Sequence, residues 1–343
     1  MNKNLILDLF KGETSRVPIW FLRQAGRHIP EYFEIRKKEE NFINFCLTEN
    51  LIVQSTKLPL KYYDLDAAII FSDILMIPWA MDRRLKFCKN FGPTLEPMIP
   101  EETEIVQKVP IGSKLKPLKN SILILRKDLP KSISIIGFAG APWTLACYMI
   151  EGKGSKDFIN TRKALWSSNK WFMKLLNTLV IYVAEKLEMQ AKAGADILML
   201  FDSWSHMIPN YFFKDCAIDP IAKIVEILRS KKIYSPIIGL PFKAGSNIEK
   251  YSYESNVDCI ALDWSVDLNW AKTYINKKIV IQGNLDPASL VPINSKHLKN
   301  NVLSILDLMS DKRFIFNVGH GLTPDTKIEN VKKVVDIVRN YKR

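Results

Sequence analysis

The sequence predicts an α/β fold: a single (β/α)8 TIM-type barrel with an insertion after the second strand. Three observations carry that expectation. Eight short runs rich in Val, Ile, Leu or Phe recur along the chain, each followed at once by polar or glycine-containing residues. Longer amphipathic stretches separate the runs. No Gly/Ser linker, low-complexity segment or short repeat divides the 343 residues, so one domain over 1–343 is expected.

The runs are Val17–Phe21, Ala67–Phe71, Ile133–Phe138, Ala195–Phe201, Pro236–Leu240, Asp258–Leu262, Lys278–Ile281 and Arg313–Val318. Continuous apolar runs of this length fit strands buried on both faces, as in a parallel sheet. The clearest crossover helix extends from Trp171 to Lys192, where Leu175, Leu176, Leu179, Val183 and Leu187 recur at helical spacing. Gly194 follows its end, the usual place for glycine between a helix and a strand. A doubly wound sheet is the alternative, because periodicity alone does not show closure. The least regular stretch is Asp82 to Leu129, with Pro93, Pro97, Pro100, Pro110 and Pro117 among charged residues. It reads as the insertion: a short hairpin and one helix from about Glu102.

Composition narrows the function classes. At 47% hydrophobic and 25% charged, the chain is an ordinary globular protein, long enough to bury its core without disulfides or metals. Lys plus Arg number 49 against 36 Asp plus Glu, a formal charge of +13. Such a balance suits nucleic acid, an anionic membrane or a polyanionic small molecule, or reflects a compositional bias toward lysine. The densest basic stretches, Arg36-Lys37-Lys38 and Lys231-Lys232, are short and lack interleaved aromatics. They argue against nucleic acid as the main partner. The five cysteines, Cys46, Cys88, Cys147, Cys216 and Cys259, are odd in number and show no CxxC spacing. With no signal-peptide cleavage site, reduced thiols in a cytoplasmic protein are expected. No apolar run approaches the ~18 residues of a membrane span.

In barrels of this kind the site lies at the C-terminal ends of the strands. The first run is followed by Arg23, Gln24, Ala25, Gly26 and Arg27, and the second by Ser72 and Asp73. After the third come Gly137 to Trp143 and then Tyr148; after the fourth, Asp202 and Ser203. The remaining runs lead to Pro241 and Phe242, to Asp263 and Trp264, to Gly283, Asn284 and Asp286, and to Gly319, His320 and Gly321.

Arg23 and Arg27 are four apart, which on a helical turn puts both guanidinium groups on one face. Paired arginines suit a carboxylate or phosphate; surface salt bridges are the plainer alternative. Asp73 is either a site residue or a helix cap, and the same choice holds for Asp202. Tyr148 is either a core residue or part of the site. His320 stands between two glycines, which suggests close approach of a ligand. His206 and His297 read as packing or surface residues. No Walker A or GxGxxG motif is present, and no hydroxyl nucleophile has a base partner nearby in sequence.

Taken together these residues resemble a known family. Pro18 to Tyr32, with its RQAGR core, resembles the N-terminal signature of the uroporphyrinogen decarboxylases. So do Phe71 to Leu75, Gly137 to Leu145 (GFAGAPWTL), Tyr148 to Gly152, Phe201 to Ser203, Gln282 to Pro287, and Asn317 to Pro324 (NVGHGLTP). The likeness spans nearly the whole chain in order, and RQAGR, GAPWTL and GHG together are highly specific. His28 departs from the usual Tyr.

The resemblance implies a (β/α)8 barrel, a homodimer, and no metal or organic cofactor. It implies a cyclic tetrapyrrole substrate, uroporphyrinogen III, whose four acetates lose CO2 to become methyls in haem biosynthesis. By motif position Arg23 and Arg27 would hold substrate carboxylates, and Gln24, Ala25 and Gly26 between them would also bind substrate. Asp73 would receive the pyrrole N–H groups, Tyr148 and Ser203 would line the cleft, and His320 would contact a propionate. Asp73, Arg23 and Arg27 would be the catalytic set.

Two rival classes follow from the same features. Zinc-dependent methyltransferases of cobalamin systems resemble this fold but bind zinc through an HxC and a distant Cys. No Cys stands two residues after any of the four His here. A non-enzymatic anion- or RNA-binding barrel rests on the charge alone.

Overall fold

The computed structural model describes residues 4–88, 92–103, 109–167, 170–293 and 296–342. Nine strands form among them: β1 (Ala67–Ile69), β2 (Leu85–Cys88), β3 (Gly92–Leu95), β4 (Ser134–Gly140), β5 (Ile197–Asp202), β6 (Ile237–Pro241), β7 (Cys259–Ala261), β8 (Val280–Leu285) and β9 (Phe314–Val318). Seven make one sheet in the order β1-β4-β5-β6-β7-β8-β9. Every pairing in it is parallel, for example Gly137 with Leu198 and Asn284 with Asn317. These strands are buried almost throughout, as continuous apolar runs require when helices cover a sheet.

The first run, Val17–Phe21, contributes only an isolated parallel bridge, Ile19 with Phe316. Pro18 removes one backbone donor there. The run nevertheless bonds to both edges of the sheet. Phe316 N donates to Pro18 O at 2.8 Å on the β9 side, and Asp66 N donates to Ile19 O at 2.9 Å on the β1 side. The sheet therefore closes on itself, whereas a doubly wound sheet keeps two free edges.

The helix Lys170–Lys192 buries Leu175, Leu176, Leu179, Val183 and Leu187, as its spacing predicts. It ends before Gly194, whose φ of 108° favours glycine. The insertion holds the expected hairpin, with Leu85 opposite Leu95 and Cys88 opposite Gly92 in β2 and β3. A 3-10 turn spans Pro100–Glu102 and Thr103 is helical, while the rest of the helix expected from about Glu102 falls on 104–108, outside the described residues. The crossover into β4 is a later helix, Lys116–Asp128.

The N-terminal end of the barrel is fastened by a repeated device. An aspartate just before a strand accepts the N–H of the neighbouring strand and pairs with an arginine. Asp66 accepts Ile19 N at 2.8 Å and takes Arg16 with both oxygens, at 2.9 and 2.6 Å. Asp196 accepts Ile135 N at 2.7 Å and Arg126 at 2.8 Å. Asp258 accepts Ile237 N at 2.8 Å and Arg229 at 2.7 Å. Each aspartate satisfies an edge amide and sets the register of two strands at once.

Candidate active site

The opposite end of the barrel opens into a cleft of about 370 Å³, whose walls include Arg23, Asp73, Tyr148, Ser203 and His320. A hollow of about 610 Å³ adjoins it and is lined by Arg23, Gly26, Arg27 and Arg36. The two share Arg23, Ala25, Phe42 and Asp73, so they form one continuous groove. Of the nine sequence-predicted site residues, all but Gln24 line it.

Arg23 and Arg27 do not sit on a helical turn. Arg23 has φ 55°, a left-handed conformation that a non-glycine residue rarely adopts. Gln24 holds the bend: its Oε1 accepts Phe21 N at 3.2 Å and its Nε2 donates to Ala67 O at 3.0 Å. Gln24 is fully buried, so its side chain shapes the loop instead of facing the groove. Both guanidinium groups are exposed, and among the described residues neither makes an ion pair. The salt-bridge alternative is not what the structure has.

Asp73 carries both roles that the sequence allowed. Its Oδ1 accepts Leu75 N at 2.8 Å, where the chain turns into the helix Met76–Ala80. Its carboxyl also faces the groove. Burial pushes the carboxyl above the usual range, while the Leu75 N–H, Lys186 and Arg23 pull it back.

Tyr148 and Ser203 are placed by one network. Thr144 donates to Asp202 Oδ1 at 2.6 Å and accepts Trp204 N at 3.1 Å, while Trp143 Nε1 donates to Trp204 O at 2.9 Å. This ties the helix Pro142–Glu151, which carries Tyr148, to the loop after β5. Asp202 is buried inside that network and caps no helix; burial pushes its carboxyl up to about 7.

His320 packs between the rings of Phe242 (4.8 Å) and Trp264 (6.0 Å). Burial, then the charges of Arg23 and Lys243, lower its pKa to about 4, so the imidazole is neutral at pH 7. The glycines beside it are required by the protein's own packing, and Gly321 also lines the groove. A Cβ on Gly319 would lie 2.2 Å from Trp264 N, and one on Gly321 would lie 2.2 Å from Arg23 Cδ. Gly321 is thus the socket for the Arg23 stem. His28, the departure from the signature, is buried and stacks on Tyr63 at 6.4 Å, away from the groove.

Two residues of the site region were not singled out from sequence. Arg36 belonged to a basic stretch, yet its guanidinium lies over Phe42 and Phe45 and bonds Glu39 O and Glu40 O. Lys186 stood inside an amphipathic helix and is fully buried. Its signal was available: it falls three residues after Val183, on the buried stripe. No helix among the described residues is long and apolar enough to cross a membrane.

The chain is similar to known proteins along nearly its whole length. A family model described as uroporphyrinogen decarboxylase (URO-D) matches residues 1–341. The uroporphyrinogen decarboxylase of Rickettsia africae (strain ESF-5) is 41% identical over 338 residues, covering 98% of this chain and 96% of its own. That of Maricaulis maris (strain MCS10) is 38% identical over 341 residues, covering 99% of each. Among solved structures, a methyltransferase from Methanosarcina mazei superposes with a TM-score of 0.77, covering 98% of each chain at 16% identity. That likeness speaks to the fold alone. The sequence matches run the length of the chain at an identity that fold similarity does not produce, and the chain belongs to the uroporphyrinogen decarboxylase family.

Proposed function

We propose that this protein converts uroporphyrinogen III to coproporphyrinogen III, removing four acetate carboxyls as CO2. The observation that carries the reading is the pairing in one groove of unpartnered arginines with a single half-buried carboxylate. An acetate cannot lose CO2 unless the electron pair of the broken C–C bond has somewhere to go. Protonation of the pyrrole ring supplies the sink: the ring becomes cationic, and the pair flows into it and neutralises it as CO2 leaves. A second proton on the exocyclic carbon completes the methyl, and loss of the first proton from the ring restores the pyrrole, so that one proton is consumed for each CO2 released. Asp73 is the negative group that faces the ring N–H groups and stabilises that cation in a cleft of low dielectric. Arg23 and Arg27 hold carboxylates, with Ala25 and Gly26 giving close backbone approach. The proton comes from one of these arginines or from a water they orient; guanidinium holds its own proton tightly.

Tyr148 and Ser203 bound the ring, and His320, neutral at pH 7, anchors a propionate by one N–H. The whole of 1–343 acts as one barrel domain, working as a cytoplasmic homodimer without a cofactor. The net charge of +13 suits a substrate with eight carboxylates. The four buried cysteines, Cys46, Cys147, Cys216 and Cys259, are unbridged, as a reducing compartment would leave them.

The test is incubation with uroporphyrinogen III kept reduced, products being resolved by carboxyl number. Accumulation of the tetracarboxylate with seven-, six- and five-carboxyl intermediates is expected; an unchanged octacarboxylate refutes the reading. Chelators are expected to leave turnover unaffected. Activity lost in EDTA and restored by zinc would point instead to methyltransferase chemistry.

A further inference from the structure

Lys186 is 1% exposed in the helix Lys170–Lys192, and its ammonium has no hydrogen-bond partner among the described residues. An ammonium held out of water is costly unless an opposite charge compensates it. Its surroundings supply little. Nζ lies 5.3 Å over the Phe138 ring centroid, and the ionisable groups near it are Asp73 and the Cys46 thiol. Burial raises the Cys46 thiol far above its ordinary range, so it stays neutral. Asp73 is then the anion that faces Lys186.

The placement follows from local structure. Gln190, one turn after Lys186, clamps β4: its Oε1 accepts Phe138 N at 2.8 Å and its Nε2 donates to Phe138 O at 2.9 Å. Gly137 makes room, since a Cβ there would stand 2.6 Å from Gln190 Oε1. The clamp fixes the helix against the strand and brings Lys186 over Phe138, which itself lines the groove beside Asp73.

We propose that Lys186 is the buried counter-charge of Asp73, a positioning residue that keeps the carboxylate ionised without touching the substrate. This rests on the reading of Asp73 as the group that stabilises the cationic ring. Among the described residues, Arg23, Lys186, Cys46 and Tyr148 act electrostatically on or with Asp73, and Arg27, Arg36 and Tyr32 line the same hollow. Arg23 is exposed on the substrate side of the groove, whereas Lys186 lies inside the protein, where solvent screens its charge little. Burial pulls the Lys186 ammonium down to about 8, so its charge is present at neutral pH.

Thermal stability tests the pair without substrate. Four proteins are compared: wild type, Lys186→Met, Asp73→Asn and the double variant. Asn at 73 keeps the acceptor for Leu75 N but strands the buried ammonium. The double variant is expected to melt several degrees above Asp73→Asn. A Lys186→Met shift of equal size in both backgrounds overturns the pairing; Lys186→Gln replaces Met if that variant does not fold. The second arm is the pH profile of kcat/KM. Without the cation the carboxylate ionises at higher pH, so the acid limb of Lys186→Met should move up by about one unit. That is roughly a tenfold loss on the limb with the plateau kept. A uniform loss with an unmoved limb overturns the positioning role. If wild type itself fails to decarboxylate the porphyrinogen, the functional reading falls, and the melting comparison still decides the pair.

Discussion

At the N-terminal end of the barrel Arg16, Arg126 and Arg229 each close on an aspartate. At the C-terminal end Arg23 and Arg27 pair with no carboxylate among the described residues, although Asp73 shares their groove. The chemistry of the groups is the same at both ends, and the difference lies in what remains unsatisfied. The lower pairs also bind a strand amide, so their electrostatics is consumed in fixing register. The upper arginines stay hydrated and offer their forks to an incoming anion. Unpaired cations around one carboxylate set this end of the barrel apart and are why the proposed chemistry is placed there.

The sharpest way to break this contrast is at Asp73. Asp73→Asn should keep the far-UV circular dichroism of a folded barrel and lower kcat by at least about 100-fold, the scale of losing a transition-state charge contact. Activity within a few-fold of wild type removes Asp73 from the chemistry. The mirror experiment at the other end is Asp66→Ala. It strands Arg16 and the Ile19 amide, and should lower the unfolding free energy by about 3 kcal/mol in urea titration. Its kcat should stay within about twofold of wild type. A catalytic defect larger than the stability defect would mean that the two ends are not separable.

Smaller effects sharpen the picture. Arg23→Lys and Arg27→Lys keep the charge and lose the planar fork, so kcat/KM should fall about tenfold in each. Arg84, 82% exposed beside Glu96, is the proper comparator, and Arg84→Lys should be silent. Arg36 is unsuitable for that purpose because it lines the groove. His320→Asn should raise KM several-fold with kcat little changed, since Asn keeps one donor. The sign of the pH dependence follows from the lowered pKa of His320, about 4. The folded protein holds the imidazole neutral where the unfolded chain would protonate it. Stability therefore falls as pH drops from about 6.5 toward about 4. Between about pH 5.5 and about pH 8 no activity limb should belong to His320. A limb that disappears in His320→Asn would make it the proton donor.

The strands were legible because a sheet covered by helices demands continuous apolar runs, and each of the eight runs supplies a strand or a bridge. Boundaries were less so: β4 extends to Gly140 and β8 to Leu285, past the apolar letters. Their last residues are held by ladder bonds, which hydrophobicity does not report. At the site, residue identity was legible and local conformation was not. The four-residue spacing of Arg23 and Arg27 suggested a helical turn, but the buried Gln24 anchor imposes a left-handed bend. The glycines around His320 suggested a ligand, and the sequence did not show that they also make room for Trp264 and Arg23, distant in sequence. The Asp66, Asp196 and Asp258 clamps were invisible for the same reason, each partner arriving from another part of the chain.

The socket that Gly321 makes for Arg23 has a consequence for biosynthesis. The arginine loop leaves the ribosome long before its socket does, because Gly321 stands far downstream of Arg23. Until β9 is made, the first run has no Phe316 to pair with and Arg23 has no surface to lean on. A nascent chain can build the middle of the sheet from neighbouring βα units, but the groove exists only once the Arg23 loop and the Gly321 segment, distant in sequence, meet. The segment carrying β9 and Gly321 therefore acts as a completion check, and a chain truncated before it has neither a closed ring nor a place to hold the tetrapyrrole.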